Sequence, residues 1–228
     1  MERSFHPKSY SGGPEAKIRT LVIEDLNIHG WHVEIMHGNA RQYGIPDLYL
    51  MHAKHGQRWV ELKNPKSYHY TYAQLSKFPV LEDHGLGIWV MTRPDHPLLF
   101  TPPNWRQFLK GDRIIGDHYE YKGRREGSTY GPEAKIQNDI IKRLECEGWH
   151  VEVMFGNVIQ KGIPDLFACH PKYGSRWVEV KNPNKYSFTN AQRRKFPIFQ
   201  EHRVGIWVLM GQDETYKLHS QANWHYFL

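Results

Sequence analysis

The sequence has few cysteines, no long apolar run and no excess of acidic residues. Its 228 residues include two cysteines, Cys146 and Cys169. Two thiols are too few for a disulfide framework, and they fit a reducing compartment best. No apolar run approaches the roughly 18–20 residues of a membrane-spanning helix, and residues 1–12 lack the apolar stretch of a signal peptide. These absences predict a cytoplasmic protein with no membrane partner.

The composition favours a folded, basic protein. Hydrophobic residues make up 39% of the chain and aromatic residues 14%, which is typical of a globular structure. The formal net charge is +6 and the pI is about 9.2. A basic, aromatic-rich chain suggests a polyanionic partner such as nucleic acid, although a solvated basic face gives the same composition.

The chain contains an internal repeat. Residues 13–91 align without gaps on residues 131–209, and 44 of the 79 aligned positions are identical. Two copies of this size are too few and too long for a solenoid. We therefore predict a tandem duplication with four segments: an N-terminal tail (1–12), domain 1 (13–109), a linker (110–130) and domain 2 (131–228).

Each copy has the pattern of a small α/β domain. A helix begins at Gly-Pro-Glu, and a β-hairpin, a second helix capped by Thr71, and an apolar strand reached by a helical crossover follow. A closing helix starts at Asn104. The predicted order in each domain is α-β-β-β-α-β-α, with a mixed β-sheet flanked by helices.

One stretch with a chemical pattern occurs in both copies, at residues 44–65 and 162–183. In the first copy, Asp47 lies on one predicted strand and Glu61 on its hairpin partner. Paired strands are about 4.8 Å apart, so the two carboxylates can converge on one cation. Oxygen ligands suit Mg²⁺ or Mn²⁺, and the Leu62 carbonyl is a further candidate ligand. The second copy has the corresponding metal ligands Asp165, Glu179 and Val180.

A lysine follows the second acid at a spacing of two in both copies, at Lys63 and Lys181. Residues two apart on a strand point to the same face. The spacing therefore places an ammonium group beside the carboxylates. There it could orient an attacking water or stabilise negative charge on a phosphate.

The two stretches, Pro46-Asp47…Glu61-Leu-Lys63 and Pro164-Asp165…Glu179-Val-Lys181, resemble the PD-(D/E)XK nuclease superfamily. The resemblance covers both repeats and implies the restriction-endonuclease-like fold. It also implies a Mg²⁺- or Mn²⁺-dependent endonuclease that hydrolyses DNA phosphodiester bonds. Branched or structured DNA is the substrate implied by the branch that contains Holliday-junction resolvases and VRR-NUC nucleases.

The same branch implies further catalytic residues. These are a glutamate on the first helix, Glu15 and Glu133, and a glutamine on the second helix, Gln74 and Gln192. Each has a structural explanation as well. An acid stabilises a helix N-terminus without any catalysis, and a partly buried glutamine can simply brace the hairpin.

Other polar and aromatic residues are assigned from their surroundings in the sequence. The tryptophans in strand patterns are predicted to be core residues, and the paired histidines make no zinc spacing with cysteines. Basic residues in loops or on the second helix near the two stretches are candidate phosphate contacts. They are Arg41, Lys66, Lys161, Lys185, Arg193 and Arg194.

The leading hypothesis is a single-chain pseudo-dimer with two active sites, which needs no second subunit to act on two strands and is therefore expected to be monomeric. The competing class is a non-catalytic nucleic-acid-binding protein with an architectural or counter-defence role. A third possibility is a nuclease directed at RNA or single strands.

Overall fold

The computed structural model describes residues 14–36, 43–109, 131–154 and 160–227. Within these residues the chain forms two four-stranded mixed β-sheets flanked by helices, one sheet from each repeat. This arrangement is compatible with two tandem domains, and the two halves are called domain 1 and domain 2 below. No helix in the described ranges is long and apolar enough to cross a membrane.

The elements follow the same order in both domains. In domain 1 they are α1 (Pro14–Ile28), β1 (His32–Ile35), β2 (Leu48–His52), β3 (Gly56–Leu62), α2 (Tyr72–Asp83), β4 (Ile88–Met91) and the 3₁₀ helices η1 (His96–Phe100) and η2 (Trp105–Phe108). In domain 2 they are α3 (Pro132–Cys146), β5 (His150–Val153), β6 (Leu166–His170), β7 (Gly174–Val180), α4 (Asn190–Glu201), β8 (Ile206–Leu209), η3 (Gln212–His219) and η4 (Trp224–Phe227).

The strand order is β1-β2-β3-β4 in domain 1 and β5-β6-β7-β8 in domain 2. The first two pairings in each sheet are antiparallel and the last is parallel, which confirms the predicted hairpin and the predicted crossover. The predicted closing α-helix is wrong. Trp105–Phe108 and Trp224–Phe227 are four-residue 3₁₀ helices, because so short a segment cannot build an α-helical ladder and tightens into 3₁₀ turns.

Two local features bring the Gly-Ile-Pro-Asp loop to the start of the second helix. Gly162 has a φ of +84°, and a Cβ atom there would lie 2.7 Å from the Ala191 carbonyl. Gly44 has a φ of +76° and lies against the Ala73 carbonyl in the same way. Only glycine permits both the left-handed backbone and this close approach.

One face of each sheet packs against the first helix of its domain. In domain 1, Val22 and Leu26 of α1 pack on Leu48, Val60 and Leu62 of the sheet. Domain 2 repeats this core with its own residues. The prediction that the strand tryptophans are core residues is confirmed, since each is at most 8% exposed: Trp31, Trp59, Trp89, Trp149, Trp177 and Trp207.

The opposite faces of the two sheets share one hydrophobic core. At its centre, residues contact their own counterparts in the repeat. The rings of Tyr49 and Phe167 are 6.3 Å apart, and those of Trp59 and Trp177 are stacked at 6.4 Å. A residue that meets its own counterpart lies on a twofold axis, so the domains pack as a pseudo-symmetric dimer.

Two symmetry-related groups of charged residues border this shared core. Lys77 of α2 binds Glu152 of β5 at 2.9 Å, and Lys195 of α4 binds Glu34 of β1 at 2.8 Å. The imidazole of His150 also hydrogen-bonds Glu152, at 2.8 Å. Burial alone would raise the pKa of Glu152, but the hydrogen bond from His150 and the charge of Lys77 outweigh it and lower the pKa.

We predict that Lys77→Ala lowers the free energy of unfolding by about 3 kcal/mol at neutral pH, because it removes the lysine that is paired with the buried carboxylate of Glu152. The pKa of Glu152 is lowered in the folded state, so this pair stabilises the fold above about pH 4.5, the ordinary value, and the effect of the substitution should shrink below it. Urea unfolding followed by tryptophan fluorescence measures both. Lys54→Ala, at an exposed hairpin turn, is the control, and equal effects of the two substitutions would contradict the prediction.

Candidate active site

The two acids of each repeat meet across the β2–β3 or β6–β7 hairpin. Leu48 pairs with Val60, so the next step of the antiparallel register places Asp47 opposite Glu61. The Leu62 backbone N–H donates to Asp47 Oδ2 at 2.9 Å and fixes this carboxylate across the hairpin. In domain 2 the Val180 N–H donates to Asp165 Oδ2 at the same distance. The predicted convergence of the acids is therefore built into the strand pairing.

The glutamate of each pair is almost completely buried. Glu61 is 1% exposed and Glu179 is 0% exposed. In each carboxylate, Oε1 accepts hydrogen bonds from a lysine and a glutamine. Oε2 is buried and has no hydrogen-bond partner among the described residues. A buried polar atom of this kind is rare and costs free energy.

The lysine predicted to stand beside the acids does so in both domains. Lys63 Nζ lies 2.6 Å from Glu61 Oε1, and Lys181 Nζ lies 2.5 Å from Glu179 Oε1. Both lysines are buried, at 6% and 7% exposure. The ammonium group is therefore held inside the protein by the carboxylate.

An aromatic ring covers each of these lysines. Lys63 Nζ is 5.0 Å from the centre of the Tyr70 ring, and Lys181 Nζ is 5.3 Å from that of Phe188. These rings were not assigned from the sequence. An available signal was that both repeats have an aromatic residue immediately before the threonine cap, at Thr71 and Thr189.

Gln74 connects the glutamate to the start of α2. Its side chain donates from Nε2 to Glu61 Oε1 at 2.6 Å, and its Oε1 accepts from the Thr71 backbone N–H at 3.0 Å. The Thr71 hydroxyl accepts in return from the Gln74 backbone, which completes a capping box. Gln192, Glu179 and Thr189 repeat the arrangement. The glutamine thus contacts the predicted metal ligand and also braces the helix.

The electrostatics of the site favour an added positive charge. Burial and the nearby charge of Asp47 raise the pKa of Glu61 to about 8, against the opposing effects of Lys63 and Gln74. Burial and Asp165 do the same for Glu179, whose pKa is also about 8. Burial raises the pKa of Asp165 to about 6 even though the Val180 N–H and Lys181 oppose the shift. Each site has one ammonium group and two carboxyl groups, so the lysine balances the negative charge of the ionised acids only in part.

The donor set fits a hard divalent cation. Each site offers the Asp carboxylate and the unpartnered Oε2 of the Glu, with the backbone carbonyl of Leu62 or Val180 at the adjoining strand position. Oxygen donors of this kind suit Mg²⁺ or Mn²⁺. A cation between facing carboxylates would also offset their mutual repulsion.

The predicted helix glutamates, Glu15 and Glu133, lie in the first turns of α1 and α3 and are exposed. Glu133 is near enough to Asp165 and Lys181 to raise the pKa of both groups. In domain 2 the structure therefore brings this glutamate into the electrostatic surroundings of the site.

The predicted phosphate contacts lie on exposed segments. Lys66 and Lys185 are exposed in the loops that follow β3 and β7, and Lys161 is exposed two residues before Ile163. Arg193 and Arg194 are exposed on α4, where domain 1 has Leu75 and Ser76. Arg41 lies outside the described residues.

We predict that replacing both buried glutamates by glutamine stabilises the metal-free protein at high pH. The pKa of each is raised from 4.5 to about 8. The folded state therefore binds more protons than the unfolded state between these values, and stability falls as the pH rises through this window. Glu61→Gln with Glu179→Gln removes that loss.

Urea unfolding in EDTA at pH 5 and pH 9 measures the effect. The variant should gain at least about 1 kcal/mol relative to the wild type between the two pH values, since one pKa unit corresponds to about 1.4 kcal/mol. Glu201→Gln, at an exposed acid near the end of α4, serves as the control. A difference between variant and wild type that does not change with pH would refute the prediction.

No protein-family model, curated protein or solved structure matches this chain. The resemblance based on the Pro-Asp…Glu-x-Lys residues therefore stays a prediction. The geometry of the two sites points to a function independently of any similar protein. Each has two facing acids, one of them buried with an unpartnered oxygen, and a lysine and a glutamine held against it.

Proposed function

We propose that this protein is a Mg²⁺- or Mn²⁺-dependent endonuclease that hydrolyses DNA phosphodiester bonds. It would have two PD-(D/E)XK active sites in one chain and a restriction-endonuclease-like fold in each domain. The observation that carries the proposal is the buried glutamate oxygen without a partner, Oε2 of Glu61 and of Glu179. Each of these glutamates lies opposite an aspartate in its hairpin.

A purely structural role explains this arrangement poorly. A buried ion pair is often no more stabilising than apolar residues of the same volume, and an unpartnered carboxylate oxygen adds a further cost. The arrangement of acid, lysine and glutamine occurs in both domains, with almost the same distances. Binding of a cation and a phosphate accounts for a site that is electrostatically unfavourable when empty.

The residues have distinct roles in the proposed reaction. Asp47 and Glu61, with the Leu62 carbonyl, would hold the cation, and Asp165, Glu179 and Val180 would hold the second. A bound Mg²⁺ supplies Lewis-acid stabilisation of charge on the phosphate. Lys63 and Lys181 donate hydrogen bonds from Nζ that orient the attacking water or stabilise the developing negative charge. Gln74 and Gln192 fix the orientation of the glutamate carboxylates.

DNA is the proposed substrate because the chain is basic and its exposed positive residues lie on segments next to the sites. Lys66 and Lys185 are three and four residues beyond the site lysines, and Arg193 and Arg194 follow Gln192 directly on α4. Such side chains bind the phosphate backbone without reading sequence. The twofold packing of the domains favours a substrate with two strands, including branched DNA.

A monomer in the cytoplasm is the proposed working form. The two sheets already form a pseudo-symmetric pair within one chain, so no second subunit is needed to supply a second site. Cys146 and Cys169 are both free thiols, which agrees with a reducing compartment.

The central experiment is cleavage of supercoiled plasmid by the purified protein with Mg²⁺, Mn²⁺ or EDTA. We expect metal-dependent double-strand cleavage by the wild type and none by Glu61→Ala with Glu179→Ala. Either substitution alone should leave one working site and produce nicked circles. Glu82→Ala, near the end of α2, is the matched control.

Each outcome decides between stated alternatives. Linear product from a single variant would contradict the two-site model, and cleavage in EDTA would contradict the metal requirement. Parallel reactions with single-stranded DNA, RNA and a four-way junction define the substrate class. Binding of all nucleic acids without cleavage of any would identify a non-catalytic binding protein.

A second prediction concerns the basic residues of α4. Arg193→Leu with Arg194→Ser gives domain 2 the residues of domain 1 and should reduce DNA affinity. It should also lower the slope of log K against log salt by up to about 2, since each lost phosphate contact removes about 1. Lys54→Ala with Lys172→Ala removes the same charge at the hairpin turns, at the far ends of β2 and β6 from the sites. An equal change in slope for both pairs would count against a specific contact.

A further inference from the structure

A cluster of metal-ligating side chains lies in domain 1, at the end of α1 opposite to Glu15. Asp25 and His29 are one helical turn apart on this part of the chain, and His96 begins η1. One ligand atom from each lies within 4.8 Å of the others. Neither histidine belongs to the proposed nuclease sites.

The cluster is already partly organised. The imidazole rings of His29 and His96 are stacked with centroids 3.4 Å apart. His29 Nδ1 lies 2.8 Å from the Asp25 backbone carbonyl and 3.4 Å from Asp25 Oδ1, so this nitrogen faces the carboxylate of the cluster. The His96 backbone N–H donates to Asp25 Oδ2 at 3.2 Å and holds η1 against α1.

In domain 2 the corresponding contact, between the end of α3 and η3, is made by a different set of residues. Arg143, Glu147 and Thr215 stand at the positions of Asp25, His29 and His96. Arg143 Nε binds Glu147 Oε1 at 2.6 Å, and the Thr215 hydroxyl donates to the same oxygen at 3.1 Å. The Glu147 carboxylate thus connects the end of α3 to η3, and the guanidinium cation of Arg143 balances its charge. Domain 1 has a carboxylate where domain 2 has this cation.

We propose that Asp25, His29 and His96 bind one late first-row divalent cation, such as Zn²⁺, that joins α1 to η1. Two imidazoles and one carboxylate suit Zn²⁺, Co²⁺ or Ni²⁺, whereas the oxygen-only nuclease sites suit Mg²⁺. Ligand atoms around tetrahedral Zn²⁺ are about 3.3 Å apart, given bonds of about 2.0–2.1 Å. Because the lone pairs of the stacked rings are nearly parallel, the His29 ring must tilt out of the stack to bind the same ion as His96. The side chains of His29 and Asp25 are 38% and 25% exposed, so they are free to move, and water completes the coordination.

The test uses the full-length chain with Glu61→Gln and Glu179→Gln, so that the nuclease sites do not compete for the metal. Titration with Co²⁺, followed by its visible absorption and by displacement with Zn²⁺, should give one tight site per chain. His96→Thr, which introduces the residue of domain 2, should weaken binding at least about tenfold, the lower limit for losing even an outer-sphere partner. His69→Ser makes the same kind of exchange at an exposed loop histidine and should leave binding unchanged.

A thermal readout covers the possibility that a variant is less stable. Zn²⁺ should raise the midpoint of thermal unfolding of the protein with an intact cluster, because the three ligands come together only in the folded protein. It should raise it less in His96→Thr and in His29→Gln. Unchanged Zn²⁺ affinity in both variants, or no tight site in the parent protein, would overturn the proposal. The result does not depend on whether the chain is a nuclease, because the readouts are binding and stability.

Discussion

The structure depends on how the second face of each sheet is covered. The first helix of each domain covers one face, and the other face is buried in a core that both domains share. Tyr49 and Trp59 of domain 1 meet Phe167 and Trp177 of domain 2 in this core. Without the other domain these large rings would form an exposed apolar patch, which a soluble surface rarely tolerates. The twofold packing is therefore a condition for the stability of each sheet.

The same strands and the same sheet face hold the candidate sites. Residues two apart on a strand point to one face, so Asp47 shares the face of Tyr49 and Glu61 shares the face of Trp59. Each acid lies about 7 Å along its strand from an aromatic residue at the pseudo-twofold axis. The shared core thus leads directly into the site, and this explains why Glu61 is buried although it lies at the end of the hairpin. The interface between the domains fixes both sites together.

Much of this arrangement could be predicted from the sequence. The order of the main helices and strands, the hairpin and the grouping of Asp47, Glu61 and Lys63 follow from local patterns with short sequence separation. The double role of Gln74 was only partly accessible. Its spacing from Thr71 matches a capping box, but its contact with Glu61 depends on how α2 packs on the sheet.

Two other features depend on contacts between distant parts of the chain. Leu48–Met51 is a continuous apolar run, which indicates a strand buried on both faces, yet it does not identify the second covering layer. The cluster of Asp25, His29 and His96 brings together residues separated by 71 positions. Only the Asp25–His29 half has a recognisable helical spacing, and such pairs are common on solvated helices.

A duplicated chain differs from a homodimer at its axis, because a residue on a true twofold axis must meet an identical residue. Here Trp59 meets Trp177, but two other axis pairs differ, Tyr49 with Phe167 and Gln57 with Ser175. The Tyr49 hydroxyl donates to Gln57 Oε1, and Gln57 Nε2 donates to the Ser175 hydroxyl. This series of hydrogen bonds crosses the axis in one direction only. The twofold-related series cannot form, because Phe167 has no hydroxyl group. The domains also differ away from the axis, at Arg193 and Arg194 and at the contact between α1 and η1. The two sites therefore have the same kinds of buried groups, but their surroundings differ.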